Sequence, residues 1–273
     1  MRAALLVCLL GCSSTTPCPE VPRPPGPVHP FLWQATGPST IYLYGTYHIA
    51  ARDDVPEVAW ARLAASEALV LELPEQRPSS TRFEDLHRLP RGQTLDQLLS
   101  ADAWYDLRDA LAGVASEDNL RRMRPWIAMD LLRRTKYPNR QASMDEAILR
   151  EGRRQGLAVM ALEEWEEQLS LIDETLDVSE LEALIANRDR IACNMSHTMS
   201  SYRDGDLEAL TGKFDELTAD KLLVQRNQKW IVRLEEIGRE KKTAFVAVGV
   251  AHMAGPTGLP ALLEQRGYRV TRL

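Results

Sequence analysis

The sequence has four cysteines but no Cys-x-x-Cys pair, so a thiolate zinc site has no ligand framework. It has no excess of positive charge: 33 Lys and Arg stand against 39 Asp and Glu, for a net charge of −6. Nucleic acid is therefore not expected as a partner, because that contact needs a basic face. The two local basic stretches, Arg121 to Arg124 and Arg133 to Arg140, read as solvated helix faces. No self-similarity recurs at a period of 20–50 residues, which excludes a solenoid or propeller. No polar linker interrupts the middle of the 273 residues, so one domain is expected over 31–273. A hydrophobic content of 44% with 26% charged residues is that of an ordinary soluble globular chain.

The first thirty residues are of a different kind. Arg2 gives one positive charge, Ala3 to Leu10 is apolar, and Gly11-Cys12 is followed by Ser13, Ser14, Thr15 and Thr16. A charged start, a short apolar core and a small-residue junction make an export signal, here 1–11. The apolar run is too short to stay in a bilayer as a spanning helix. Leu9-Leu10-Gly11-Cys12 resembles the bacterial lipobox, which implies a lipid on Cys12 and an exported, membrane-anchored lipoprotein on the outer-membrane or periplasmic face. The alternative is a cleaved secretory signal with an incidental cysteine. Residues 12–30 are crowded with proline (Pro17, Pro19, Pro22, Pro24, Pro25, Pro27 and Pro30), which makes a stiff, extended tether. Cys18 and Cys193 are then the remaining thiols. An oxidising compartment would let them pair, while the position of Cys18 in the tether argues against a structural bridge.

The folded part begins near Phe31. Phe31–Ala35 and Thr40–Tyr44 read as strands joined by the turn Thr36-Gly37-Pro38-Ser39, a hairpin. Ala68–Leu71, Leu157–Leu162 and Ala244–Val248 read as buried strands, and Tyr268–Arg272 as a last one. Helices are expected over 55–66, 94–113, 120–134, 143–155, 164–172, 178–201, 206–215, 219–240 and 257–266. The fold class is α/β (α+β): a central mixed sheet with helices around it and a large helical insertion.

Chemistry-bearing residues follow the apolar runs. Gly45-Thr46-Tyr47-His48 follows the second strand, Glu72 closes the third, Glu163 follows Leu157–Leu162, and Gly249-Val250-Ala251-His252 follows Ala244–Val248. In open α/β sheets, sites form at the carboxyl ends of the strands. If these four strands are parallel neighbours, His48, Glu72, Glu163 and His252 meet in one pocket. Each Gly-x-x-His segment also has a glycine where the backbone can approach a neighbour closely. Imidazole and carboxylate are ligands for zinc, manganese or iron. A bound metal can acidify water and polarise a carbonyl. Taken singly, each residue also has a plain structural reading: a hydrogen-bonded histidine at a strand end, a salt-bridged Glu72, a Glu163 in the solvated acidic cluster with Glu164, Glu166 and Glu167.

The ordered set Phe31-Leu32-Trp33, Tyr42 to His48, Val70-Leu71-Glu72-Leu73, Leu162-Glu163 with Gln168, Arg226-Asn227 with Trp230, and Val248 to His252 with Gly255, Gly258, Leu263 and Gly267-Tyr268 resembles the TraB/GumN family, which is related to the Tiki proteases. More distant relatives with similar sites include erythromycin esterases and haem-binding lipoproteins. The resemblance implies a metal-dependent hydrolase acting on peptide, amide or ester bonds. His48, His252 and Glu72 would hold a divalent metal (Mn, Co or Zn), with Glu72, Glu163 and Arg226 as the catalytic groups. Met144-Asp145 stands where the family often has Gly-Val/Ile-Asp; Asp145 also reads as a charge favourable to a helix N-terminus. Arg226 can grip a carboxylate or oxyanion through its planar fork, or merely bridge Glu72 and Glu163. Tyr202 lines the pocket or packs. His29, His87 and His197 have no such context. Two other functions stay open: a lipid-anchored receptor for haem, a metal complex or a peptide signal, and a metal-free esterase using His48 and Glu72 as an acid–base pair.

Overall fold

The structure is a computed structural model that describes residues 29–79, 85–136, 143–211 and 215–273. The expected signal, most of the tether and the cysteines Cys8, Cys12 and Cys18 lie outside the described residues, as do 137–140 of the second basic stretch. Cys193 is disulfide-bonded.

The hairpin expected at the start is β1 (Leu32–Thr36) antiparallel to β2 (Thr40–Thr46), with Leu32 opposite Tyr44. Helix α1 (Glu57–Ala64) leads to β3 (Ala68–Leu71). The first helical insertion follows. The helix expected over 94–113 is two, α2 (Leu95–Leu98) and α3 (Ala101–Ala110), because the Ser100 hydroxyl caps the second by accepting from the Ala103 amide. The helix expected over 120–134 is also two, α4 (Glu117–Arg122) and α5 (Pro125–Lys136). Pro125 has no N–H to give and so opens a helix rather than continuing one. Helix α6 (Met144–Arg154) starts with a capping box: Ser143 Oγ accepts the Glu146 amide, and Glu146 accepts the Ser143 amide. It feeds β4 (Ala158–Ala161). The second helical segment runs through α7 (Trp165–Thr175), α8 (Val178–Ala186), α9 (Ile191–Asp204), α10 (Leu207–Thr211) and α11 (Glu216–Ala219). One π-helical turn, Asp220–Val224, then enters α12 (Gln225–Glu240). Strand β5 (Thr243–Gly249), helix α13 (Leu259–Gln265) and strand β6 (Arg269–Arg272) complete the chain.

The six strands form one mixed sheet in the order β4-β3-β5-β2-β1-β6. Strands β4, β3, β5 and β2 are mutually parallel neighbours, and β1 and β6 add antiparallel at one side. The condition set by the sequence is therefore met: the four strands that end in His48, Glu72, Glu163 or His252 lie side by side and point the same way. Strand β5 sits between β3 and β2, with Leu71 opposite Ala247 and Thr46 opposite Gly249. Its residues Ala244 to Val248 are buried, as expected for a strand covered on both faces.

Two apolar clusters hold the helices. The larger packs both sheet faces and includes Phe31, Leu43, Tyr44, Leu69, Val246, Trp230 and Leu234. The smaller is purely helical, built from Leu95, Leu107, Leu120, Met129, Leu181 and Ile191. The insertion thus buries a core of its own beside the sheet, and α7 lies where it borders the strand ends.

Candidate functional site

Each functional side chain is placed by the turn that ends its strand. Past β2 the chain turns over Tyr47–Ala50, where the Ala50 amide donates to the Tyr47 carbonyl at 2.8 Å, and past β5 it makes the 3-10 turn Val250–Met253. Neither Gly45 nor Gly249 has positive φ; what both supply is the missing Cβ. A Cβ on Gly45 would stand 3.0 Å from Val250 and 3.1 Å from Phe31, and one on Gly249 3.3 Å from Glu72 Oε1. The close approach lets the Gly249 amide donate to Glu72 Oε1 at 2.7 Å. The two Gly-x-x-His segments therefore pack against each other and against the third strand end.

Arg226 is the centre of the buried network. Its Nη2 donates to Glu72 Oε2 at 2.7 Å and to Glu163 Oε1 at 2.5 Å, and its Nε to Glu163 Oε2 at 3.2 Å. Its Nη1 donates to the Leu222 carbonyl and to His252 Nε2, both at 3.1 Å. The guanidinium lies over the Trp230 ring, one helical turn on, at 4.5 Å, a cation–π contact in a desolvated place. Gln168 Nε2 donates to both carboxylates, at 2.9 Å to Glu72 and 3.0 Å to Glu163. Trp230 Nε1 donates to Glu163 Oε2 at 3.2 Å. Glu163 thus has two donors on each oxygen, and its side chain is 2% exposed. Burial is the largest single influence on Glu72 and would raise its pKa, but the Arg226 charge, the two nearby imidazoles and the Gly249 amide together outweigh it and hold the carboxyl down at about 2.

The tautomer of His252 follows from its neighbour. Asn227 Nδ2 donates to the carbonyls of His252 and Thr257, at 3.2 and 2.9 Å. Asn227 Oδ1 is therefore an acceptor, and His252 Nδ1, 2.7 Å away, carries the proton. Nε2 is left with a lone pair, which takes the Arg226 N–H. Burial pushes the His252 pKa down to about 3, so the ring is neutral at pH 7. His48 is the opposite case. Its Nδ1 lies 2.9 Å from Asp145 Oδ2, and Thr46 Oγ1 donates to Asp145 Oδ1 at 2.7 Å. The Asp145 carboxylate raises the His48 pKa to about 9, although the side chain is 72% exposed and solvent screens part of that pull. Both imidazoles thus have Nδ1 tied from behind, an arrangement that orients a ring and fixes its tautomer.

The predicted residues do gather. Glu72, Glu163, Arg226 and His252 form one hydrogen-bonded network. His48, Glu72, Arg226 and His252 also line one cavity of about 400 Å³. Glu163 does not line that cavity; it lies on another, with Glu167, Glu174 and Lys229. Tyr202, offered as pocket or packing, packs: it is fully buried and its hydroxyl donates to the Gly45 carbonyl at 2.8 Å. The donor set suits a divalent metal in kind, two imidazoles with oriented rings and one carboxylate. In this arrangement, however, Arg226 takes His252 Nε2 and Glu72 Oε2. Among the described residues no three His, Cys, Asp or Glu side chains are gathered into a metal-holding group.

Sequence reasoning missed three partners. Asp145, read as a helix-start charge, is that and also the anchor of His48. Gln168 bridges the two carboxylates. Asn227 sets the His252 tautomer, and its signal was legible: Asn227, Trp230, Ile231, Leu234 and Ile237 make the buried stripe of α12. A polar residue on such a stripe must be hydrogen-bonded.

Among known proteins, the chain is similar to a protein described as a metalloprotease TIKI homolog from Amphimedon queenslandica, at 22% identity over 316 aligned positions. The match covers 89% of this chain and 61% of that protein, so the chain spans about three fifths of the relative's length. No solved structure matches it. The sequence profile of the TraB/PrgY/gumN family matches residues 31–272, which takes in the whole sheet and every residue of the network described above, and the chain belongs to that family.

Proposed function

We propose that this protein is a metal-dependent, peptidase-like hydrolase. The observation that carries the reading is the pair of imidazoles just past the ends of adjacent parallel strands, each tied at Nδ1 by Asp145 or Asn227, that share a cavity with Glu72. The likeness to a described metalloprotease supports the same reading. His48, His252 and Glu72 would hold the metal, which when bound supplies an acidified water and a Lewis acid for a carbonyl. Glu72 is the carboxylate facing the cavity. Glu163, for which the sequence suggested a catalytic role, is better suited to holding Arg226, since both its oxygens are fully engaged. Arg226 gives all five of its N–H groups to the network, so the catalytic role suggested by the sequence would need the N–H now on His252 Nε2 to be released to charge that develops on a substrate oxygen. Asp145 and Asn227 keep the two rings in place.

The test is metal content and turnover together. Purified protein is loaded with manganese, cobalt or zinc, desalted and assayed for bound metal. One equivalent in the wild type and none in the His48→Ala/His252→Ala chain is expected. Equal content in both refutes the metal reading. Cleavage that survives exhaustive chelation would favour a metal-free esterase. Stoichiometric haem binding without cleavage would favour a receptor.

The N-terminal residues extend the proposal to place. Residues 1–11 act as an export signal and Cys12 carries a lipid at the end of the proline-rich tether. No helix among the described residues is long and apolar enough to cross a membrane; in this proposal the lipid on Cys12 holds the protein at the membrane. Labelling with a radiolabelled fatty acid, lost in Cys12→Ser, tests it.

A further inference from the structure

The polar centre is shared by two cavities, not one. The first, of about 400 Å³, has apolar walls from Ile172, Leu176, Leu210, Leu222, Leu223 and Val250. The second, of about 260 Å³, has apolar walls from Leu71, Leu73, Pro74, Leu149 and Trp165, and Glu75, Arg77, Asp145 and Glu146 line it as well. His48, Glu72 and Gln168 line both. A molecule that fills both must cross those three side chains.

We infer that the two cavities are side-chain subsites of one cleft whose occupant is an extended polypeptide, with an apolar residue on each side of the peptide group lying over His48 and Glu72. The argument is one of pattern. The cleft reads apolar, polar, apolar, and an extended chain of apolar residues reads side chain, amide, side chain. Each cavity alone is near or below the low end of the roughly 300–1,000 Å³ of small-ligand pockets. Joined, they offer room for two side chains and the backbone between them. The junction also carries polar groups without a protein partner among the described residues. Gln168 uses its Nε2 on Glu72 and Glu163, leaving its side-chain oxygen to accept a substrate N–H. His48 uses its Nδ1 on Asp145, leaving its Nε2 edge for the occupant's peptide group when no metal is held there. A peptide group crossing the junction needs one acceptor and one donor, because an unpaired buried amide is costly.

The inference deepens the peptidase-like reading, and the position of the bond to be cut rests on that reading; binding does not. Binding is therefore measured first, on the full chain with a chelator present and no turnover. Four fluorescein-labelled hexapeptides carry Leu-Leu, Leu-Asp, Asp-Leu or Asp-Asp at the two central positions, and anisotropy gives Kd. Leu-Leu is expected to bind tightest, with each aspartate weakening binding about 10-fold or more. Leu149→Trp, which fills the smaller cavity, should erase discrimination at one central position only. Leu223→Trp, which fills the larger, should erase it at the other. Leu149→Phe and Leu223→Phe serve if a tryptophan chain does not fold, as judged by its circular dichroism melt. Indifference to the central residues, or loss of discrimination at both positions from either substitution, overturns the cleft assignment. The same peptides are then incubated with metal-loaded protein. Position-dependent binding without cleavage would count against the hydrolase reading and leave the cleft assignment standing.

Discussion

Replacing Arg226 with glutamine removes the only cation hydrogen-bonded to Glu72 and Glu163 among the contacts described for the network. The side chains of Arg226, Glu72 and Glu163 are 11%, 14% and 2% exposed, so little solvent screens them. One unit charge at about 4 Å in a medium of effective dielectric near 20 is worth about 4 kcal/mol. Breaking a buried pair by removing one partner costs about 3–5 kcal/mol, because it strands the other charge. Here two carboxylates are stranded, and Gln168 bonds to both, so they also repel each other. We expect Arg226→Gln to lower unfolding free energy by about 3–5 kcal/mol at pH 8. The loss should shrink toward pH 5. In the wild type the Glu72 pKa is lowered to about 2, so its contribution is present above the unfolded value near 4.5 and is lost only as pH falls through about 2. In the variant, with the Arg226 charge gone, burial should raise the Glu72 pKa above the unfolded value. Between those limits the folded state binds a proton that the unfolded chain does not, which returns about 1.4 kcal/mol per pH unit per proton. Urea titration at pH 5, 6, 7 and 8 measures both effects. Adding Glu163→Gln to the Arg226→Gln chain should recover about 1–3 kcal/mol at pH 8, and it keeps the test open if the single variant is too unstable to study. A loss below about 1 kcal/mol that does not change with pH, within the range of a surface pair, would refute the account of Arg226 as the hub.

Three other substitutions probe separate parts of the structure. Asp145→Asn should let the His48 pKa fall from about 9 toward the ordinary value near 6.5, as read by NMR of the imidazole; an unchanged titration would mean that Asp145 does not control the ring. Asn227→Leu removes the acceptor of His252 Nδ1–H and the donor to two carbonyls. It should cost about 2–4 kcal/mol by denaturant titration and, on the metal reading, weaken metal binding by about 10- to 100-fold, whereas wild-type values in both assays would contradict the assigned tautomer. Gly205 ends α9 at φ +72°, and a Cβ there would stand 2.4 Å from the His29 carbonyl oxygen. Gly205→Ala should therefore cost more than about 1 kcal/mol, lowering Tm by about 2–4 °C for each kcal/mol, and an unshifted melt would show that the contact relaxes freely.

Much of this arrangement was legible in the amino-acid order. The hairpin at Phe31–Tyr44 was marked by its Gly-Pro turn, and the buried strands by short apolar runs closed by Gly, His or Glu. The helices were harder to bound. Those expected over 94–113 and 120–134 divide at Ser100 and Pro125, where a capping hydroxyl or a missing N–H outweighs apolar periodicity. The stretch expected as one helix over 219–240 contains the π-helical turn Asp220–Val224, which side-chain pattern does not reveal because it is a matter of backbone registration. Gln168 and Asn227 were named in the sequence only as neighbours of other residues, and Asp145 only as a helix-start charge.

The sequence by itself determined the kinds of residues available and their place at strand ends, because apolar runs, glycines and the polar residues that follow them are local features. Which strands lie beside one another was decided by the tertiary structure, because pairing β5 between β3 and β2 joins segments separated by more than 170 residues. The protonation of the site was decided there as well. His48 and His252 follow the same Gly-x-x-His spacing, yet one faces a carboxylate beside solvent, which favours its charged form, while the other is buried against an asparagine, which favours its neutral form. Burial and the charge of the nearest partner set a pKa, and neither is a property of the residues on either side in the chain.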